Sequence, residues 1–225
     1  MKTIRTKAII IRRTNYGEAD RILQLLTPDY GKVSVMARGV RREKSKLAGG
    51  IELFATTDVT IMTGKGKLGI LTGSRLVKFY GAIMQDYDRL TFAYEILKQV
   101  SRAADAIDEP AFYDLLEQGF SYLEDSDIGL DFVRVWFWLQ LGILLGHGLN
   151  LSTDDSGMKL VEDARYNFDE SQGVFTYREN GRFTSDHIKL LRLMSAQSPK
   201  VATKVQGAAE LLEDSLWVAE RSFGH

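Results

Sequence analysis

The sequence has no cysteine, which rules out disulfides and thiolate metal sites. That fits a reducing compartment but does not prove one, because absence is a weak signal. Histidine is nearly as scarce. His147, His187 and His225 are the only three, none is spaced from another as metal ligands are, and each is read as structural. No G-x-x-x-x-G-K-[S/T] loop occurs, so nucleotide-driven chemistry is not expected. Long apolar runs are also missing. The stretch from Val135 to Leu151 is interrupted by Gln140 and His147 and falls short of the roughly 20 residues of a membrane span, so it reads as a buried helix. The run Ala8–Ile11 is too short for a signal peptide, and a cytoplasmic protein is expected.

Charge is present in abundance but unevenly. The chain as a whole carries a net charge of −1, which conceals two opposed halves. Residues 1–80 hold 16 Lys and Arg against 6 Asp and Glu, a net of +10, and the remainder holds 13 against 24, a net of −11. A basic first domain attracts a polyanion, with nucleic acid the leading candidate. Hydrophobic content of 44 % with 26 % charged residues is that of a packed globular protein, and 225 residues suit one or two domains.

The first 80 residues carry strand signals. Lys32 to Arg38 alternates, with Val33, Val35 and Ala37 on one face and Lys32, Ser34 and Arg38 on the other. Ile4–Arg13, Arg21–Thr27, Leu53–Met62 and Leu68–Val77 complete a set of five. Turn sequences join them at Thr27–Gly31 and Gly64–Lys67, while Gly39–Gly50 is a longer basic loop. Five short strands in this length suit a small closed barrel, because closure removes exposed edges. After Gly81 the period becomes helical. Tyr87 to Val100 and Phe112 to Leu123 mark two helices, the second with Pro110 in its first turn. Leu130–Leu145 is apolar nearly all round, with Trp136, Phe137 and Trp138 in a row, and must be enclosed. Val201, Val205, Ala208, Leu212, Leu216 and Phe223 mark one final helix entered at Pro199. Between Gly148 and Arg182 the pattern breaks into turns around a short strand at Val174–Tyr177. The expected class is α+β: a five-stranded barrel over 1–80, then an all-α domain over 81–225 with a small irregular insertion at about 148–182.

The segment Arg38–Lys46 packs five cations (Arg38, Arg41, Arg42, Lys44 and Lys46) into nine residues with no apolar periodicity. Clustered Arg and Lys release counterions condensed on a phosphate backbone, and Arg offers forked donors to phosphate oxygens. A lone charge run is more often just a solvated loop. Here Arg12, Arg13, Lys32, Lys65 and Lys67 add to it, and these ten cations form the expected nucleic-acid-binding set. Tyr16, Tyr30 and Phe54 are either stacking surfaces for bases or, as such aromatics more often are, parts of the core. Gly64–Gly69 matches G-x-G-x-x-G, but a strand rather than a helix follows, so it reads as a hairpin turn. Asp154, Asp155 and Gly157 lack the twelfth-position carboxylate of a calcium loop, since Arg165 stands there, and form a turn. Glu18 and Asp20 converge on no nucleophile, and Asp20 is expected to pair with a neighbouring arginine. No catalytic constellation emerges, so an enzyme is not expected and a hydrolase with an undetected site is the weakest alternative.

Several short pieces resemble the bacterial recombination mediator family RecO. They are Thr6–Arg12, Tyr16–Ile22, Thr27–Lys32, Ala37–Arg42 and Ser45–Gly49, in the family's order, with a weaker match at Leu141–Gly148. The resemblance implies an N-terminal OB-fold, a helical C-terminal domain and a non-enzymatic role. Such proteins bind single- and double-stranded DNA and anneal complementary strands. With RecR they help load RecA onto DNA coated by the single-stranded-DNA-binding protein, whose acidic tail they contact. Many members hold zinc with four cysteines in the region matching Ser152–Tyr177. This chain has none, so no metal and no cofactor is expected and ordinary packing must hold that segment. The acidic tail needs a local basic patch, for which Lys189, Arg192, Lys200 and Lys204 are the candidates. A general single-stranded RNA- or DNA-binding protein is the alternative, since small barrels also take RNA.

Overall fold

The computed structural model describes residues 2–64, 66–107 and 109–222. Its chain divides into two compact units, Met1–Glu124 and Asp125–His225. Among the described residues no helix is long and apolar enough to cross a membrane.

The first unit begins with the five expected strands: β1 (Lys2–Tyr16), β2 (Asp20–Thr27), β3 (Gly31–Ala37), β4 (Ala55–Thr63) and β5 (Leu68–Phe79). They close into a barrel in the order β1-β2-β3-β5-β4. β1 is longer than its apolar run because it serves two neighbours. Its first half pairs with β4, its second with β2, and a register shift between Ile10 and Arg12 bends it from one to the other. The β3–β5 contact is parallel and short, from Ser34 opposite Leu68 to Met36 opposite Ile70. Alternating residues such as Ile4, Ala8, Ile10, Leu23, Leu25, Val35, Ala37 and Ile61 fill the interior, with Val33 partly buried against them. The Gly64–Lys67 segment joins the antiparallel strands β4 and β5, as a hairpin connection should.

Two helices complete this unit, α1 (Tyr87–Ala106) and α2 (Ala111–Glu124). Asp86 caps α1 by accepting from the Asp88 and Arg89 N–H groups. Phe54 precedes β4 and turns its ring inward, 5.0 Å from the Tyr94 ring of α1 and 5.5 Å from Phe120 of α2. Thr56 of β4 and Tyr113 of α2 both donate to the Glu117 carboxylate, at 3.2 Å each. Burial and that carboxylate together push the Tyr113 phenol well above its usual pKa, so it stays a hydrogen-bond donor.

The second unit contains α3 (Leu130–Leu144), β6 (Arg165–Asp169), β7 (Val174–Tyr177), β8 (Phe183–Thr184), α4 (Ser185–Ala196), α5 (Pro199–Ala202) and α6 (Leu212–Ser222). Trp136, Phe137 and Trp138 are enclosed, as an all-round apolar helix requires. Three features differ from expectation. The insertion is a three-stranded sheet in the order β7-β6-β8, not one strand among turns. Helix α4 was not legible because its cap is unusual: Thr184 pairs with His187 where a Glu or Gln is the common partner. The single final helix is broken. Gly207 adopts a left-handed φ of 76°, a 3₁₀ turn follows at Ala208–Leu211, and α6 starts afresh. Val201 and Val205 are exposed, so the apolar spacing there is not one buried stripe; Phe223 lies outside the described residues.

Candidate nucleic-acid interface

The loop between β3 and β4 is pinned at both its basic and its apolar residues. Gly39 turns with φ 63° and donates its N–H to Asp20 Oδ1 at 2.7 Å. Arg41 donates its backbone N–H to Ala19 O at 2.9 Å and its Nη1 to Gly17 O at 3.1 Å. The base of the loop is thereby fixed to the β1–β2 turn. Asp20 thus accepts a backbone N–H rather than pairing with an arginine. Further along, Val40 and Ile51 are buried in the barrel core, with Leu47 packed against it. Ser74 Oγ donates to Leu47 O at 3.0 Å, and Gly50 lies so close that a Cβ there would meet Ser74 Oγ at 2.5 Å. Only glycine fits that approach.

With its apolar residues turned down, the loop turns its cations up. Arg38, Arg41, Arg42, Lys44 and Lys46 are all exposed, and Glu43 is the only acid among them. Arg13 reaches the same loop, but its Nη1 is bound to Glu52 at 3.1 Å and to Ile51 O at 3.4 Å. Sequence reasoning missed Arg21. It sits opposite Ala37 at the foot of the loop and donates to Asn15 Oδ1 at 3.1 Å. Alternation along β2 puts Arg21 on the side of buried Leu23 and Leu25, so only its place at the end of the strand, beside the start of the basic loop, signals it.

The remaining cations of the expected set are elsewhere. Arg12 is exposed opposite Gln24. Lys67 precedes β5, whose first residue pairs with Ser34, so it lies level with Val33, about 16 Å along β3 from Arg38. Lys65 lies outside the described residues. Lys32 is withdrawn from solvent: its side chain is 12 % exposed and donates to Asp105 at 2.6 Å and Ser101 O at 3.2 Å, tying β3 to α1. Of the aromatics, Tyr16 and Tyr30 are exposed, Tyr16 next to Gly17 at the foot of the loop. Phe54 is 2 % exposed and is core, not a stacking surface.

Residues 1–80 match the family model described as "Recombination protein O N terminal". The chain is also 31 % identical to the DNA repair protein RecO of Dehalococcoides mccartyi, over 76 % of this chain and 67 % of that protein. It is 34 % identical to the RecO of a second strain of that species, with the same coverage. The chain belongs to the RecO family. The DNA repair protein RecO of Listeria monocytogenes is similar as well, 29 % identical over 83 % of this chain and 75 % of its own. Family membership identifies the closed barrel as the RecO OB-fold and sets the chain among DNA repair and recombination proteins.

The second unit of this RecO-family chain handles its basic residues differently. Lys189 is paired with Glu162 at 2.5 Å and Asp186 at 3.3 Å, and Lys200 with Asp125 at 2.9 Å. These hydrogen bonds hold both ammonium pKa values above the ordinary lysine value. Arg192 donates twice to Leu151 O, at 2.8 and 2.6 Å. Lys204 is exposed and has no partner among the described residues.

The residues at the family's zinc position do not fit the metal. Residues 152–177 contain neither Cys nor His, so no soft or imidazole donor is present. Asp154 instead closes a turn, accepting from Ser156 N at 3.0 Å and Met158 N at 2.9 Å. Aromatic packing takes the place of coordination. Tyr166, Phe168, Phe175 and Phe183 are buried, and Trp217 of α6 lies 5.9 Å from Phe183 and 6.3 Å from Phe168. The Arg182 and Arg221 guanidiniums lie over the Trp217 ring at 4.9 and 4.3 Å, and Arg182 also pairs with Asp214.

His187 belongs to the same cluster. Its Nδ1 accepts from Thr184 N at 3.2 Å, so the neutral ring carries its proton on Nε2, 3.4 Å from Asp214 Oδ2. Burial lowers its pKa below the ordinary imidazole value, against the opposing pull of Asp214 and Asp186. The unfolded chain therefore binds this proton more readily. Stability is full above the unfolded value of about 6.5 and declines as pH falls below it. Thermal melts between about pH 7.5 and about pH 5.5 should show this decline, and His187→Gln should reduce it. An unchanged pH dependence in the variant would exclude His187 as its source.

Proposed function

We propose that this RecO-family chain is a recombination mediator that acts by binding rather than by catalysis. Residues 1–80 serve as its nucleic-acid-binding domain, holding single- and double-stranded DNA and annealing complementary strands. With RecR it helps load RecA onto DNA coated by the single-stranded-DNA-binding protein. The observation that carries this reading is the pinned loop. Five solvent-facing cations are held on a rigid base instead of a floppy arm, so little ordering entropy is lost when phosphates arrive. Binding faces of OB-folds run between the β1–β2 and β4–β5 connections, and here Tyr16 ends β1 at the first and Lys67 lies in the second. The acidic tail has Lys204 as its most available contact, while Lys189 and Lys200 would have to exchange their present carboxylates for those of the tail.

The test is charge reversal at Arg38, Arg41, Arg42 and Lys44. Loss of four phosphate contacts should flatten the log–log salt dependence of single-strand binding by about 3 and slow annealing. The triple variant that spares Arg41, whose Nη1 also anchors the loop to Gly17 O, should do so with the melting temperature unchanged. Normal annealing by that variant would overturn the assignment. Competition between matched DNA and RNA oligonucleotides tests the polymer, and preference for RNA would favour a general RNA-binding role instead.

A further inference from the structure

The outer face of β1, β4 and β5 carries a second group of cations. Ile4 and Ala8 of β1 point into the core, so Arg5 and Lys7 between them point out. Lys7 stands opposite Asp58, and Asp58 opposite Arg75; Arg5 stands opposite Thr60, and Thr60 opposite Gly73. Residues facing each other across a ladder share a side of the sheet. Lys7, Asp58 and Arg75 therefore form one row and Arg5, Thr60 and Gly73 the next, about 7 Å away along the strands. Gly73 contributes no side chain, and the space over it is an open cleft of about 550 Å³ walled by Arg5, Asp58, Thr60 and Arg75.

Three cations thus surround a single carboxylate. Asp58 is taken by Arg75, which leaves Arg5 and Lys7 without a partner among the described residues. The cleft is separate from the basic loop. Ser74 turns to the loop and donates to Leu47 O, while its neighbour Arg75 turns the other way to Asp58. Arg75 thus points to the side of β5 away from the loop's anchor, although Ser74, which holds the loop, also borders the cleft.

We propose that this cleft is a second phosphate-binding site, which holds a second nucleic-acid strand while the loop holds the first. The proposal rests on the loop binding nucleic acid, as argued above. Arg5 and Arg75 supply forked donors to phosphate oxygens, Lys7 adds a point charge, and the bare backbone at Gly73 lets the strand approach closely. Two strands on one chain turn pairing into an intramolecular event at high effective concentration, and neutralised phosphates no longer repel.

The experiment counts strands per chain. Native mass spectrometry of the full chain with short oligothymidylates at low salt should find two bound per polypeptide. The triple variant Arg5→Gln, Lys7→Gln, Arg75→Gln should keep the first binding step and weaken the second by at least about tenfold, with a similar fall in annealing rate. Gly73→Val covers the bare backbone in the cleft without altering charge, and its Cβ would sit at an ordinary 3.5 Å from Thr60, so it should fold and also weaken the second binding step. A second strand retained by either variant, or both binding steps weakened equally, would overturn the proposal. A single strand per wild-type chain would overturn it and leave the loop assignment standing. No bound strand at all would overturn both.

Discussion

Replacing Phe175 with alanine is expected to cost about 3–5 kcal/mol and to unfold the β6–β8 sheet. Phe175 is fully buried and its ring meets Phe168 at 5.3 Å, Phe183 at 5.7 Å and Tyr166 at 6.5 Å. Its backbone also accepts the Asp155 N–H at 2.9 Å, which ties the turn region to β7. The sheet has only three short strands, too few to stand without a packed face. Rings hold this segment, and Phe175 is the one that meets Tyr166, Phe168 and Phe183 together. Urea denaturation followed by fluorescence, with limited proteolysis mapped to 148–184, measures the effect. Added zinc should restore nothing, since no thiolate is available. A cost below about 1 kcal/mol would show that the rings do not hold the sheet. Oligonucleotide binding through the basic loop should persist in this variant, because every loop anchor lies within the first unit.

Phe54 offers the second large effect, and one whose sign is informative. Its φ of 54° is in the left-handed region, where a bulky side chain is a true outlier. The ring is held edge-on between Tyr94 and Phe120, and Phe54 O accepts the Tyr80 N–H at 2.9 Å, so packing from both helices fixes the strained backbone. Phe54→Ala removes the ring and keeps the strain, for a loss of about 3–5 kcal/mol. Phe54→Gly removes both. It should be more stable than the alanine variant by about 1 kcal/mol, the reverse of the usual order inside a strand or helix. Equal or lower stability of the glycine variant would mean that the turn at Phe54 is not under strain. Since Phe54 closes the basic loop, both variants should also loosen it, raising proteolysis between Arg38 and Phe54.

Legibility followed the range of the forces involved. The barrel strands were readable because alternation is enforced residue by residue: Val35 and Ala37 are buried and Lys32, Ser34 and Arg38 are not fully so. The loop cations were readable because nothing apolar could place them inside. The outer row at Arg5 and Lys7 was equally visible in the alternation of β1, but its meaning depends on Asp58 and Arg75, brought beside it from 50 or more residues away. Helix α4 was obscured by a cap whose partner is a histidine, and the final helix by an apolar spacing that continues through Gly207 although the backbone does not.

Sequence alone settled the charge division, the absence of thiol chemistry, the five strands and the family, because each is a property of residue types in order. Tertiary structure alone decided which cations are available. Lys32 and Arg42 carry the same charge in the same basic region, yet one is folded against Asp105 and Ser101 and the other faces water. A charge run records how much charge a segment has. Whether that charge meets a phosphate or a carboxylate of its own chain depends on which strands and helices closure brings alongside it.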